Sequence, residues 1–136
     1  MTRLTFTSTF IVLALLVVGG PAWGAGALYK CSVKDVTTLG ADGRLASTSW
    51  TRNLLRSWKT ITFDEHTGAL RIGGTDPYKL KVIQGTSQDN SLMALRTHKG
   101  PVAMVLQVLT IKTFMKELPF ALFNHPELYT GLCERM

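Results

Sequence analysis

The chain contains two cysteines, Cys31 and Cys133, 102 positions apart. Joined to each other, they tie most of the chain into one loop. Any fold must then bring a segment near residue 31 beside one a few residues from the end. The chain-entropy model assigns such a cross-link about 4–5 kcal/mol, comparable with the net stability of a small domain. A Cys-x-x-Cys redox pair is absent, so a structural staple is the expected use of both thiols. That pairing needs an oxidising compartment, which makes the opening residues decisive.

Arg3 is the one charge ahead of an uninterrupted apolar run, Phe10-Ile-Val-Leu-Ala-Leu-Leu-Val-Val18. Gly19-Gly20-Pro21 breaks the run, and Ala22-Trp23-Gly24 places small residues ahead of Ala25. A positive start, a short apolar core and a small-residue exit read as a secretory signal peptide over residues 1–24. The run is about half the roughly 20 residues needed to span a bilayer, so no stable membrane anchor is expected after cleavage. Cys31 follows Leu28-Tyr29-Lys30 rather than the small residue a lipoprotein signal requires. The expected product is a periplasmic or secreted protein with a single β-rich domain over residues 25–136.

The formal net charge of +6 changes little on losing Arg3. A positive surface favours anionic counterparts, such as an envelope component or an acidic protein. In an exported protein nucleic acid is not an expected partner.

Period-two alternation dominates the remainder. Tyr29, Cys31 and Val33 fall on one side of a first strand, with Lys30, Ser32 and Lys34 on the other. Thr60–Phe63 and Ala69–Ile72 flank the turn Asp64-Glu-His-Thr-Gly68 and read as a hairpin. Residues 78–83 alternate Tyr78, Leu80 and Val82 inward with Lys79 and Lys81 outward. Residues 92–97 make another strand, and the apolar, β-branched stretch 102–115 a long one. Residues 120–123 and 129–133 finish the sheet. Within residues 44–58, Trp50, Leu54, Leu55 and Trp58 form a helical stripe, with Ser47, Thr48 or Ser49 available to cap it. Turns every 8–15 residues without helix–strand alternation predict a mainly β fold: a small antiparallel meander, barrel or sandwich with one short helix.

Chemical motifs are sparse. His66, His98 and His125 lie in or beside turns, and no two share a zinc-ligand spacing. Asp64-Glu65-His66 is dense in ligand types, but in a hairpin turn Asp64 is expected to bond the turn backbone. There is no Gly-x-Ser-x-Gly elbow and no phosphate loop. No catalytic residue, metal site or cofactor is therefore expected. The candidate binding surface is Trp50, Arg52, Arg56, Trp58 and Lys59, because Trp and Arg combine large contact area with a polar tip. The competing use of both tryptophans is as core.

Tyr29-Lys-Cys31 near the start, Asp64-Glu-His-Thr-Gly68 in the middle and Thr130-Gly-Leu-Cys133 at the end resemble uncharacterised small exported proteins of proteobacteria. The resemblance implies a fold type and an export route, not an activity. The Tyr-x-Cys start is also similar to periplasmic inhibitors of c-type lysozyme, although a positive chain would repel a cationic lysozyme.

The reading is thus an exported, non-catalytic binding domain of unknown ligand. The alternatives are a small-ligand carrier with a barrel cavity lined by Met93, Met104 and Phe114, or an envelope hydrolase. A solid core with an exposed Trp/Arg patch would point to the binding domain.

Overall fold

The computed structural model describes residues 26–86, 90–101 and 104–136; the expected leader lies outside them. Among these residues ten strands form one antiparallel sheet that curls into a nearly closed barrel with one short helix. In chain order they are β1 (Leu28–Leu39), β2 (Leu45–Ala46), α1 (Ser49–Ser57), β3 (Thr60–Asp64), β4 (Ala69–Ile72), β5 (Tyr78–Lys79), β6 (Lys81–Gln84), β7 (Leu92–Lys99), β8 (Met104–Ile111), β9 (Leu118–Asn124) and β10 (Glu127–Arg135). Each long strand pairs with its sequence neighbour, and β10 returns to pair with β1. This is an up-and-down barrel rather than a sandwich.

Closure depends on one residue. β5 pairs with β4 through Leu70↔Tyr78, and β6 pairs with β7 through Val82↔Ala94. Tyr78–Gln84 is therefore a single run whose first half belongs to one side of the seam and whose second half belongs to the other. Leu80, between them, is buried, and its N–H donates to the Gly68 carbonyl at 2.8 Å. Gly68 has φ 72°, and a Cβ there would collide with the Leu80 carbonyl, so both the turn and the seam require glycine.

The opposite seam is β1–β10. Cys31 lies directly across from Cys133, and the two form the disulfide. At Gly131 an added Cβ would strike the Ser32 carbonyl and the Phe120 ring, so the strands approach too closely there for a side chain.

Inward-facing residues fill the barrel. Tyr29, Phe63, Leu70, Leu92, Leu109 and Leu122 are fully buried. With β2 off the ring and β5 and β6 counted as one run, the ring has eight members, a size whose interior is just wide enough for side chains. β8 is apolar on both faces, because outward Val108 continues a row Leu95↔Val108↔Phe123↔Leu128 across four strands. That row explains why the stretch reads as one long apolar segment. The strand ends at Ile111, not at Met115, because residues 113–117 turn instead. Met93 alternates with buried Leu92 and Ala94 and so faces outward, while Met104 and Phe114 are exposed. The three residues expected to line a cavity all lie outside the barrel interior.

α1 occupies only the second half of the ambiguous segment. Thr48 caps it: its hydroxyl accepts from Thr51 N–H at 3.1 Å, and the Thr51 hydroxyl accepts from Thr48 N–H at 2.8 Å. A nine-residue helix is not stable alone; it is held by burying Thr51 and Leu54 against the barrel. β3 pairs with β1 only as far as Ser32↔Thr60, and α1 packs against the part of β1 that β3 leaves. No described helix is long and apolar enough to cross a membrane.

Candidate functional site

The two ends of the barrel treat polar groups differently. At the end carrying the β3–β4 turn, a network of hydrogen bonds ties Glu65, Thr86, Tyr29 and Arg135 together. Glu65 accepts from Ala27 N–H (3.1 Å), Thr86 N–H (2.6 Å) and the Thr86 hydroxyl (2.9 Å). Tyr29 and Thr86 share a hydroxyl bond of 2.6 Å, and Arg135 donates to the Tyr29 oxygen at 3.2 Å. Asp64 accepts from the backbone N–H of His66 and Thr67, the expected turn chemistry, and the Thr67 hydroxyl first, then these backbone bonds, hold its carboxyl below the usual range. Glu65 is half-buried rather than fully solvated, as a turn residue would be, and it braces the barrel end.

At the α1 end the interior itself changes character. The inward row Ala94↔Leu109↔Leu122↔Tyr129↔Val36 is apolar apart from one phenol. One step outward, the same strands present Arg96↔Gln107↔Asn124↔Glu127↔Thr38. The mouth is thus lined across five strands by a guanidinium, two amides, a carboxylate and a hydroxyl. Gln107 Nε2 donates to Asn124 Oδ1 at 2.7 Å, and Arg96 lies over the Tyr78 ring at 5.0 Å. Burial pushes the Tyr78 hydroxyl from 10.0 up to about 12, partly opposed by Arg96. Burial also raises Tyr129, and the Glu127 charge beside it adds to the shift. Asn124 leans toward the Tyr129 hydroxyl and offsets part of that rise, but falls short of a hydrogen bond.

α1 places the predicted residues around this mouth and divides them. Trp58 turns inward, half-buried, and stacks on Tyr129 with ring centroids 6.1 Å apart. Trp50 does not belong to the buried stripe: it is 58% exposed, and its Nε1–H donates to Glu127 Oε1 at 2.9 Å. Helical geometry sets Trp50 at the edge of the buried face and Arg52 and Arg56 on the solvent side, about 160° and 120° from it at 100° per residue. Arg52, Arg56 and Lys59 are exposed. The five residues are therefore divided between the mouth, reached by Trp50 and Trp58, and the solvent, faced by Arg52, Arg56 and Lys59, rather than gathered in one compact patch. Exposed Leu39 and Leu45 face each other across the β1–β2 pair, and Thr38 pairs with Glu127.

A shallow groove of about 250 Å³ on the other flank, lined by Lys30, Ser32, Lys34, Leu132, Cys133 and Glu134, holds only the 4.0 Å Lys30–Glu134 ion pair. Among the described residues no cluster of three or more His, Cys, Asp or Glu is arranged to hold a metal. His66, His98 and His125 are all exposed.

Sequence reading missed the polar row because each strand contributes only one member. Its signal lies in the inward phase of each strand, as in Leu92-x-Ala94-x-Arg96 and Phe120-x-Leu122-x-Asn124, and it becomes visible only once register is known.

No protein-family model matches the chain, and no curated protein and no solved structure matches it.

Proposed function

We propose that this chain is an exported, non-catalytic binding protein that engages its counterpart through the α1 end of the barrel. The observation that carries the reading is Trp50. An exposed indole costs solvent-facing apolar area, yet this one is fixed by a 2.9 Å bond to Glu127, 77 residues away, at the mouth of the barrel. Rigid, half-desolvated aromatic anchors of this kind supply much of the energy of recognition surfaces. The Cys31–Cys133 disulfide and the apolar run before Gly19 support an oxidising destination, periplasmic or secreted. Exposed Arg52, Arg56 and Lys59 on and just after α1 favour an anionic envelope component or protein as the counterpart. The filled barrel interior gives a carrier role no support.

Trp50→Ala, alone and with Arg56→Ala, tests the reading. Binding to envelope extract should fall at least tenfold, while the melting temperature stays within a few degrees, because neither side chain is core. Unchanged capture by Trp50→Ala would refute the assignment of the α1 end.

A further inference from the structure

Among the described residues three buried side-chain atoms have no hydrogen-bond partner: Tyr78 Oη, Gln107 Oε1 and Tyr129 Oη. All three belong to the inner wall at the α1 end, and two of the side chains are more than nine-tenths buried, Gln107 at 7% exposed and Tyr129 at 0%. Leaving one such group unpaired costs about 1–3 kcal/mol. Phenylalanine and leucine would fill the same space without that cost. The Glu65–Thr86–Tyr29–Arg135 network shows that this chain satisfies buried polar groups at the opposite end. Local departures from full pairing concentrate where a protein receives a ligand.

The chemistry of the wall selects among ligands. Glu127 and the Gln107 acceptor oppose an anion lodged in the mouth, and Arg96 opposes a cation. Gln107 Oε1 needs a donor, Arg96 needs an acceptor, and the tyrosine hydroxyls take either. Uncharged groups that both donate and accept are hydroxyls and amides, and of the two only a ring of hydroxyls also carries an apolar face. A ligand with several hydroxyls around an apolar ring face would also match the exposed Trp50 indole, whose Nε1–H is already committed to Glu127. From this juxtaposition we infer that the polar row Arg96–Gln107–Asn124–Glu127, with Tyr78 and Tyr129 beneath it and Trp50 at its rim, is a saccharide-binding site. The inference rests on the reading of the α1 end as the recognition surface and names the ligand class for it.

The test uses the purified oxidised protein with soluble oligosaccharides: an N-acetylglucosamine tetramer and a glucan oligomer as neutral probes, and an oligogalacturonate as the acidic one. Saturable quenching of tryptophan fluorescence is expected with at least one of the neutral probes. Preference for the galacturonate would overturn the assignment to this row, because Glu127 and the Gln107 acceptor oppose an anion there. Tyr129→Phe and Tyr78→Phe should each weaken binding about 3- to 10-fold, the worth of one hydrogen bond, with no fall in melting temperature, since each hydroxyl lacks a partner in the free protein. A purely structural role predicts the reverse, a lower melting temperature with affinity following it. The inference is overturned if no probe binds at millimolar concentration, if the Phe variants bind like the parent, or if they lose stability and affinity in parallel. The two readings separate cleanly. If Trp50→Ala abolishes envelope binding while no saccharide binds, the recognition surface stands and the saccharide site falls. If saccharide binding survives in Trp50→Ala and envelope binding is unchanged, the assignment of Trp50 fails and the polar row stands.

Discussion

Reducing the Cys31–Cys133 bond should cost this barrel more than any single substitution. The two cysteines are directly opposed on β1 and β10, the seam where the first long strand meets the last. With a sequence separation of 102, the chain-entropy model gives about 4–5 kcal/mol for the cross-link, acting mainly by shrinking the unfolded ensemble. For a domain of roughly 110 residues the unfolding entropy is about 0.23 kcal/mol/K. The melting temperature should therefore fall by about 20 °C. The clean comparison is oxidised against reduced protein, monitored by calorimetry and urea titration. A Cys→Ala pair would also remove two buried sulfurs, Cys31 at 0% and Cys133 at 8% exposed, and so mix packing with cross-linking. The urea slope should rise on reduction, because the unlinked unfolded chain exposes more surface. A fall of less than about 5 °C with an unchanged slope would refute the reasoning, since the backbone ladder from Tyr29↔Arg135 to Thr38↔Glu127 would then hold the seam without help.

Two further outcomes test other parts of the structure. Gly68→Ala forces a side chain into φ 72° and against the Leu80 carbonyl, so it should cost about 2–4 kcal/mol in urea unfolding; a parent-like midpoint would show that the Tyr78–Gln84 run does not hold the second seam. Tyr78 and Tyr129 have hydroxyl pKa values raised by burial, whereas the unfolded chain ionises near 10. Stability should thus be complete below about pH 10 and decline as pH rises through about 12, because only the unfolded form releases those protons in between. Absorbance at 295 nm should show these two phenols ionising together with loss of circular dichroism, assigned by Tyr→Phe variants; phenolate forming near pH 10 in a still-native barrel would contradict the burial.

Most strands were legible because alternation is a local property. Tyr29, Cys31 and Val33 face inward as their spacing says, and the hairpin around Asp64–Gly68 lies where its turn residues place it. Barrel against sandwich was not legible, because the decision rests on Leu80 dividing one apolar run between two neighbours. The helix was legible as a stripe, but periodicity fixes which residues share a side, not where the stripe is centred. Leu54, Leu55 and Trp58 lie on the packed side with Thr51, while Trp50 is drawn to the edge by Glu127, a contact no local pattern encodes. The polar mouth was hidden for the same reason: Arg96, Gln107, Asn124 and Glu127 become neighbours only through register across four strands.

The β1–β10 seam also bears on how the chain matures. A polypeptide is made from its N-terminus, so β1 arrives first and its closing partner last. Tyr29, Cys31 and Val33 must wait, uncovered on one edge, until almost all of the remaining chain has emerged. Ring closure therefore comes at the end of biogenesis rather than growing strand by strand, and a truncation that removes β10 takes away both the seam and the oxidised bond. With only two cysteines in the sequence, no wrong pairing exists within one molecule. The error open to a waiting Cys31 is a bond to another chain, which makes crowding at the site of oxidation, rather than disulfide shuffling, the hazard in its production.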